Sequence, residues 1–268
     1  SRVVANGWGT PDLGPAWTVS GGALADYSVN GTSGDHRHTA ANVDHRSEMA
    51  EVVTDFEMSA TFSLSSVPFT GLWIVNLFGR LNPGPNQYVV GTLLGNPSGV
   101  VEIRIEYNDG AGNLITANVP LTNVNTSNVI SFKFKACGNL LQARAWNATL
   151  PEVAEWQSEL TVPTVFSGPI EINTYTAPGT TPMPFTFSFD FFQLITGNPL
   201  HLYRVTPDGV RTEVIGSPFS TSSGLPETAT MWDGSAPFDV DIYYELTSDC
   251  TSDAVLTSNT VSLDSDGD

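Results

Sequence analysis

Three of the four histidines fall within ten residues, at His36, His38 and His45. The spacing of His36 and His38 puts both rings on one side of a strand, where imidazoles can bind a metal or take up a proton. No cysteine lies near them and no third ligand is evident, so no metal site is assigned. Among the carboxylates, Asp55 and Glu57 share one strand face, and Glu102, Arg104 and Glu106 share another. A pair of carboxyls about 5 Å apart would suit glycoside hydrolysis. The Glu-x-Asp-x-x-Glu spacing that sets such a pair on one strand does not occur, and both groups read as solvated faces. There is neither a Gly-x-Ser-x-Gly elbow nor a Gly-rich phosphate loop, so the sequence predicts no catalytic residue and no enzyme. Asp264-Ser265-Asp266-Gly267-Asp268 matches the opening of a calcium loop without its bidentate Glu and reads as an acidic linker.

The remaining chemistry lies in aromatic rings, which either pack in a core or stack on sugars. Of the six tryptophans, Trp8 sits between two glycines and Trp156 follows the loop 148–155. Loops at a rim can present a ring that a strand interior would bury. Trp8 and Trp156 are therefore the candidate carbohydrate contacts.

Strands must position these groups. Phe56, Met58, Ala60, Phe62 and Leu64 alternate with polar residues, as do Val101, Ile103, Ile105 and Tyr107. The runs 72–78 and 87–94 are more continuously apolar and suit central strands. Asn108 to Asn113 and Cys137-Gly138 mark hairpins. In the Phe-rich strand from 184 to 195, Phe192 breaks the phase and suggests a bulge. No helical period is evident. After Thr196-Gly197-Asn198-Pro199 the texture changes to short strands around the turn Pro207-Asp208-Gly209. The division predicted is a large β-sandwich over 1–196 and a small immunoglobulin- or fibronectin-like β domain over 197–268.

The 268 residues carry 28 acidic and 10 basic side chains, a net charge of −18. That balance argues against nucleic acid and anionic membrane as partners. No run of 18 apolar residues marks a membrane span, and no signal peptide is visible. Cys137 and Cys250 fall in the two predicted domains, so the expectation for each is a buried free thiol. Sequons stand at Asn30, Asn125 and Asn147.

Several segments resemble those of minor tail proteins from siphovirus-type phages of actinobacteria, which carry a laminin-G-like (concanavalin-A-like) domain. They are the entry Asn6-Gly7-Trp8-Gly9 with Trp17-Thr18-Val19, the stretch from Ala145-Trp146 through Pro151-Glu152 to Trp156-Gln157, and 187–194 with Asp190 amid aromatics. In the smaller domain, 203–212, Trp232-Asp233, Ala236-Pro237 and Tyr243-Tyr244-Glu245 look like the small β modules of the same proteins. The resemblance implies an all-β jelly-roll sandwich followed by the small domain, in a virion structural protein of the tail tip or fibre. It further implies attachment to the host surface by cell-wall glycan binding, with other tail proteins as partners and a homotrimer as the assembly. No cofactor is implied, although calcium at the sandwich rim would fit some such domains. Two alternatives stand beside it: a secreted actinobacterial polysaccharide-binding module, and a structural spacer with no ligand.

Overall fold

The computed structural model describes residues 2–68, 70–197, 200–213, 241–248, 256–257 and 261–262. The chain divides into two compact units, Ser1–Leu194 and Ile195–Asp268. Among the described residues no helix is long and apolar enough to cross a membrane.

The large unit is an antiparallel sandwich, as the alternating pattern predicts, and of the jelly-roll type that the resemblance implies. Its strands are β1 (Val3–Ala5), β2 (Trp17–Ser20), β3 (Tyr27–Asn30), β4 (Gly34–His38), β5 (Asp44–Val53), β6 (Phe56–Leu64), β7 (Trp73–Asn82) and β8 (Gln87–Gly95). They continue as β9 (Val100–Asp109), β10 (Asn113–Ile115), β11 (Val119–Asn125), β12 (Ile130–Cys137), β13 (Leu140–Asn147), β14 (Ser158–Thr161), β15 (Gly168–Thr176) and β16 (Phe185–Thr196). Sheet I has the order β1-β3-β4-β16-β6-β12-β13-β14. Sheet II runs β10-β9-β8-β7-β15-β5-β2, with β11 also on β9.

Between the sheets, Phe56, Met58, Phe62, Phe132, Phe134, Phe185 and Phe187 of sheet I meet Trp73, Val75, Leu77, Leu93, Ile103, Ile105 and Ile172 of sheet II. Each fully buried side chain of this size contributes about 1.5–3 kcal/mol. Aromatics of sheet I need room against the backbone of sheet II, and glycine provides it. A Cβ on Gly91 would stand 2.8 Å from the Phe134 ring. The phase break in β16 shows as two exposed neighbours, Asp190 and Phe191, after which Phe192 and Leu194 turn back onto the core.

The sequons coincide with turn chemistry. Asn30 Oδ1 accepts from the Thr32 amide (3.0 Å), Asn125 Oδ1 from Ser127 (2.9 Å) and Asn147 Oδ1 from Thr149 (3.0 Å). Each pattern thus closes an Asx turn, in which the amide oxygen stands in for a backbone carbonyl.

In the small unit, β17 (Leu200–Val205) pairs antiparallel with β18 (Arg211–Glu213) and β19 (Asp241–Ser248). β19 also pairs with β20 (Leu256–Thr257) and β21 (Val261–Ser262). The predicted turn between β17 and β18 is present: the Gly209 amide donates to Thr206 O at 2.8 Å with φ 81°. The serine-rich stretch 216–227, Trp232-Asp233, Cys250 and the acidic 264–268 lie outside the described residues. Cys137 is disulfide-bonded, which corrects the expectation of a free thiol there.

Candidate functional site

Trp8 does not face a ligand. Asn6, Gly7 and Gly9 take positive φ (61°, 143° and 65°) and fold the chain so that the indole turns inward. It is 4% exposed, packs against Trp17, His36 and Phe189, and donates from Nε1 to Asp35 O at 3.1 Å. The glycines that seemed to present the ring instead bury it, so Trp8 is corrected from a carbohydrate contact to a core residue.

Trp156 lies half-buried against the outward face of sheet I, on the side chains of β12 and β13. The Arg144 guanidinium stands 4.3 Å from its ring centroid and the Lys135 ammonium 5.7 Å away. Arg144 and Lys133 both pair with Glu152, Lys133 at 2.8 Å, and Lys133 also reaches Glu57 at 3.1 Å. Asp55 accepts from the Gly138 amide at 2.8 Å and faces Arg80 at 3.5 Å. Asp55 and Glu57 are therefore separate structural partners and form no acid pair.

The three histidines occupy the sandwich interior. His36 bonds Ser47 Oγ through Nε2 (2.8 Å) and Thr174 Oγ1 through Nδ1 (3.0 Å), and His38 Nε2 bonds the same threonine at 2.8 Å. His45 Nε2 stands 3.4 Å from Asp26 Oδ2. With their rings sealed between the sheets, they join β4 to β5 and β15. Among the described residues, no group of three or more His, Cys, Asp or Glu is placed to hold a metal ion.

The residues that converge on a surface lie on the outward side of sheet II. Strand alternation sends Ile170, Ile172 and Thr174 into the core and Glu171, Asn173 and Tyr175 outward. Antiparallel register then lines up three rows across the strands. One row is Thr18, Glu48, Glu171, Phe78, Val90 and Glu106. The next is Ser20, Arg46, Asn173, Asn76, Thr92 and Arg104, and the third is Asp44, Tyr175, Ile74, Leu94 and Glu102. Every described strand of the large unit belongs to one of the two sheets.

The middle row is held rigidly. Thr92 Oγ1 donates to Asn76 Oδ1 (2.8 Å), Asn76 Nδ2 to Asn173 Oδ1 (3.0 Å) and Asn173 Nδ2 to Asp44 Oδ1 (3.3 Å). Arg104 pairs with Glu106 at 2.5 Å at one end, and Arg46 with Asp44 at 3.4 Å at the other. Half-buried Phe78 and Tyr88 pack edge to face at 5.4 Å beside the row. Tyr175 donates to Asn42 Oδ1 at 2.7 Å. The floor is nearly solvent-free although it points outward: Thr92 is 1%, Asn173 3% and Glu171 5% exposed. Burial, followed by Glu48 and Asp44, pushes the Glu171 carboxyl up to about 7, against the pull of Arg46. Fixed amides and hydroxyls beside aromatic edges can exchange hydrogen bonds with a polyhydroxylated ligand.

Of these residues, sequence reasoning singled out only Glu102, Arg104 and Glu106, as a solvated face. Asp44-x-Arg46-x-Glu48 and Glu171-x-Asn173-x-Tyr175 carry the same alternation, polar groups between inward residues, and that pattern was the available signal.

No family model and no curated protein sequence matches the chain. Solved structures do share the fold. An uncharacterized protein from Mycobacterium paratuberculosis aligns with a TM-score of 0.50 at 10% identity, over 71% of this chain and 95% of that one. A β-1,3-glucanase from Mycobacterium marinum aligns with a TM-score of 0.48 at 10% identity, over 72% and 97% of the two chains. The carbohydrate binding module CBM66 from Bacillus subtilis aligns with a TM-score of 0.47 at 11% identity, over 66% and 94%. At such identities the likeness is one of fold, and the large unit is an all-β, concanavalin-A-like sandwich.

Proposed function

We propose that the large unit binds glycan through the outward face of sheet II, and that it does so in a phage minor tail protein that attaches to the host surface. The observation that carries the binding reading is the hydrogen-bonded row from Asp44 through Asn173 and Asn76 to Thr92, flanked by Phe78, Tyr88 and Tyr175. The half-buried Asn76 amide is already oriented by Asn173 and Thr92, so a sugar would meet a group that loses little freedom on binding. An aromatic contact adds about 0.5–1.5 kcal/mol beyond buried area. A single face of this kind binds weakly, and repetition in a homotrimer around a tail axis supplies avidity. The tail setting is supported by the sequence resemblance at the Trp8 and Trp17 entry, the Trp156 segment and β16.

Calorimetric titration with oligosaccharides released from actinobacterial cell wall tests the binding reading. Asn76→Ala and Phe78→Ala should each weaken binding about tenfold, near 1.4 kcal/mol, with Trp156→Ala binding as the parent does. Binding lost in Trp156→Ala and kept in the other two would move the site to sheet I. Absence of binding by any fragment would favour the ligand-free spacer.

A further inference from the structure

Within that face, the surroundings of Glu171 are unbalanced in charge. Glu48 stands directly across from it on β5, and Asp44 lies on the same outward side of that strand. Three carboxylates thus share one cation, Arg46, whose Nη2 is 3.4 Å from Asp44 and whose Nε is 4.0 Å from Glu171. The other neighbours of Glu171 across the strand pair, Phe78 and Asn76 on β7, carry no charge. Glu171 is 5% exposed, yet among the described residues no hydrogen bond reaches its carboxylate, since a 4.0 Å ion pair is beyond hydrogen-bonding distance. A carboxylate this buried normally accepts several hydrogen bonds, and leaving them unmade is costly.

We infer that the outward face around Glu171, Glu48 and Asp44 receives the ammonium group of an amino sugar, a hexosamine whose nitrogen is not acetylated. The inference rests on the glycan-binding reading and narrows it to a ligand class. An ammonium is compact and has three donors that point in different directions, enough to reach Glu171 and one neighbouring carboxylate together. A hydroxyl offers one donor and no charge. A sugar carrying carboxylate or phosphate would meet three like charges here, on a chain of net charge −18. Burial first, with Glu48 and Asp44 adding to it against the pull of Arg46, raises the Glu171 carboxyl to about 7. Binding of the amine would hold Glu171 ionised and release a proton near neutral pH.

The test compares three tetrasaccharides of one linkage type by calorimetry: glucosamine, N-acetylglucosamine and glucose. The glucosamine tetramer should bind about tenfold more tightly than the other two, with proton release detectable as a dependence on buffer ionisation heat. Glu171→Gln should abolish both the preference and the proton release. Glu159→Gln, which changes an exposed acid on sheet I, should keep the preference. A preference that survives Glu171→Gln, or that is lost equally in Glu159→Gln, would show general attraction to an acidic protein and overturn the inference. Equal binding of all three tetramers, or binding of neutral wall fragments without the glucosamine tetramer, overturns it and leaves the glycan face intact. Failure of every tetramer and every wall fragment overturns both.

Discussion

His38 and His45 face each other between the two sheets with ring centroids 3.9 Å apart, one carried by β4 and the other by β5. Burial first, and His45 second, hold the His38 imidazolium down to about 3, and His36 lies well below its ordinary range for the same reasons. His45 is lowered by burial against the opposing pull of Asp26. All three are neutral in the folded protein at neutral pH, whereas an unfolded chain protonates them near 6.5. Below that pH the unfolded state binds more protons than the folded one, so stability is full above about 6.5 and declines as pH falls toward about 3. Glu171 works in the opposite sense and favours the fold as pH drops below about 7. With three imidazoles against the raised carboxyls of Glu171 and Asp190, the urea midpoint should fall between about pH 7 and pH 4, and His38→Asn should flatten the slope. A midpoint unchanged over that range would show that the histidines are not held neutral.

Arg80 is wholly buried at a register shift of β7, where its φ is 51°. Its Nε donates to Thr54 O (2.5 Å), its Nη2 to Gly138 O (2.8 Å), and Asp55 lies 3.5 Å away. The side chain joins the turn before β6 to the β12–β13 hairpin. Arg80→Met should cost about 3–5 kcal/mol, because it leaves Asp55 without its cation and two carbonyls without donors. Chemical denaturation would detect it, and a loss under about 1 kcal/mol would mark the ion pair as no more than a surface contact.

The alternation of apolar and polar residues made the sandwich legible, since a period of two assigns each side chain to a face without reference to distant strands. It put Phe185, Phe187, Phe189 and Phe191 on one face; the first three are buried, whereas Phe191 is exposed, so the phase turns one residue before the predicted break at Phe192. What it could not supply was the order of strands. Asn173 and Asn76 are 97 residues apart and become partners only because β15 lies between β7 and β5. Trp8 failed for a related reason. Flanking glycines signal a sharp change of chain direction, but whether the ring ends inside or outside depends on His36 and Phe189, which local sequence does not show.

Trp156 should behave as a packing residue. Arg144 stands 4.3 Å from the ring centroid, and the same arginine donates to the carbonyls of Val153 and Ala154 at 3.0 Å, so ring, loop and guanidinium hold one another. Trp156→Ala should lower stability by about 1–2 kcal/mol, the sum of a partly desolvated cation–π contact and some lost burial. The full 3–5 kcal/mol of a core aromatic, about, would show a deeper role than half-burial allows. Measuring wall-glycan affinity on the same sample separates packing from recognition.

Catalysis is the reading on which the outward face of sheet II invites a direct test. Glu48 and Glu171 are opposite each other across a strand pair, and Glu171 stands near 7, where a general acid would operate. The same face carries Arg46 4.0 Å from Glu171, a cation that a free acid–nucleophile pair would not need. The carboxylates first noted in the sequence are engaged elsewhere, Glu57 with Lys133 at 3.1 Å and Asp55 with the Gly138 amide at 2.8 Å. The expected result is that the purified protein releases no reducing sugar from β-glucan, arabinogalactan or peptidoglycan over a long incubation. Turnover abolished by Glu171→Gln and by Glu48→Gln, with Asp55→Asn and Glu57→Gln silent, would convert the binding face into an active site. Turnover lost in none of the four variants would point to a contaminant and leave the binding reading in place.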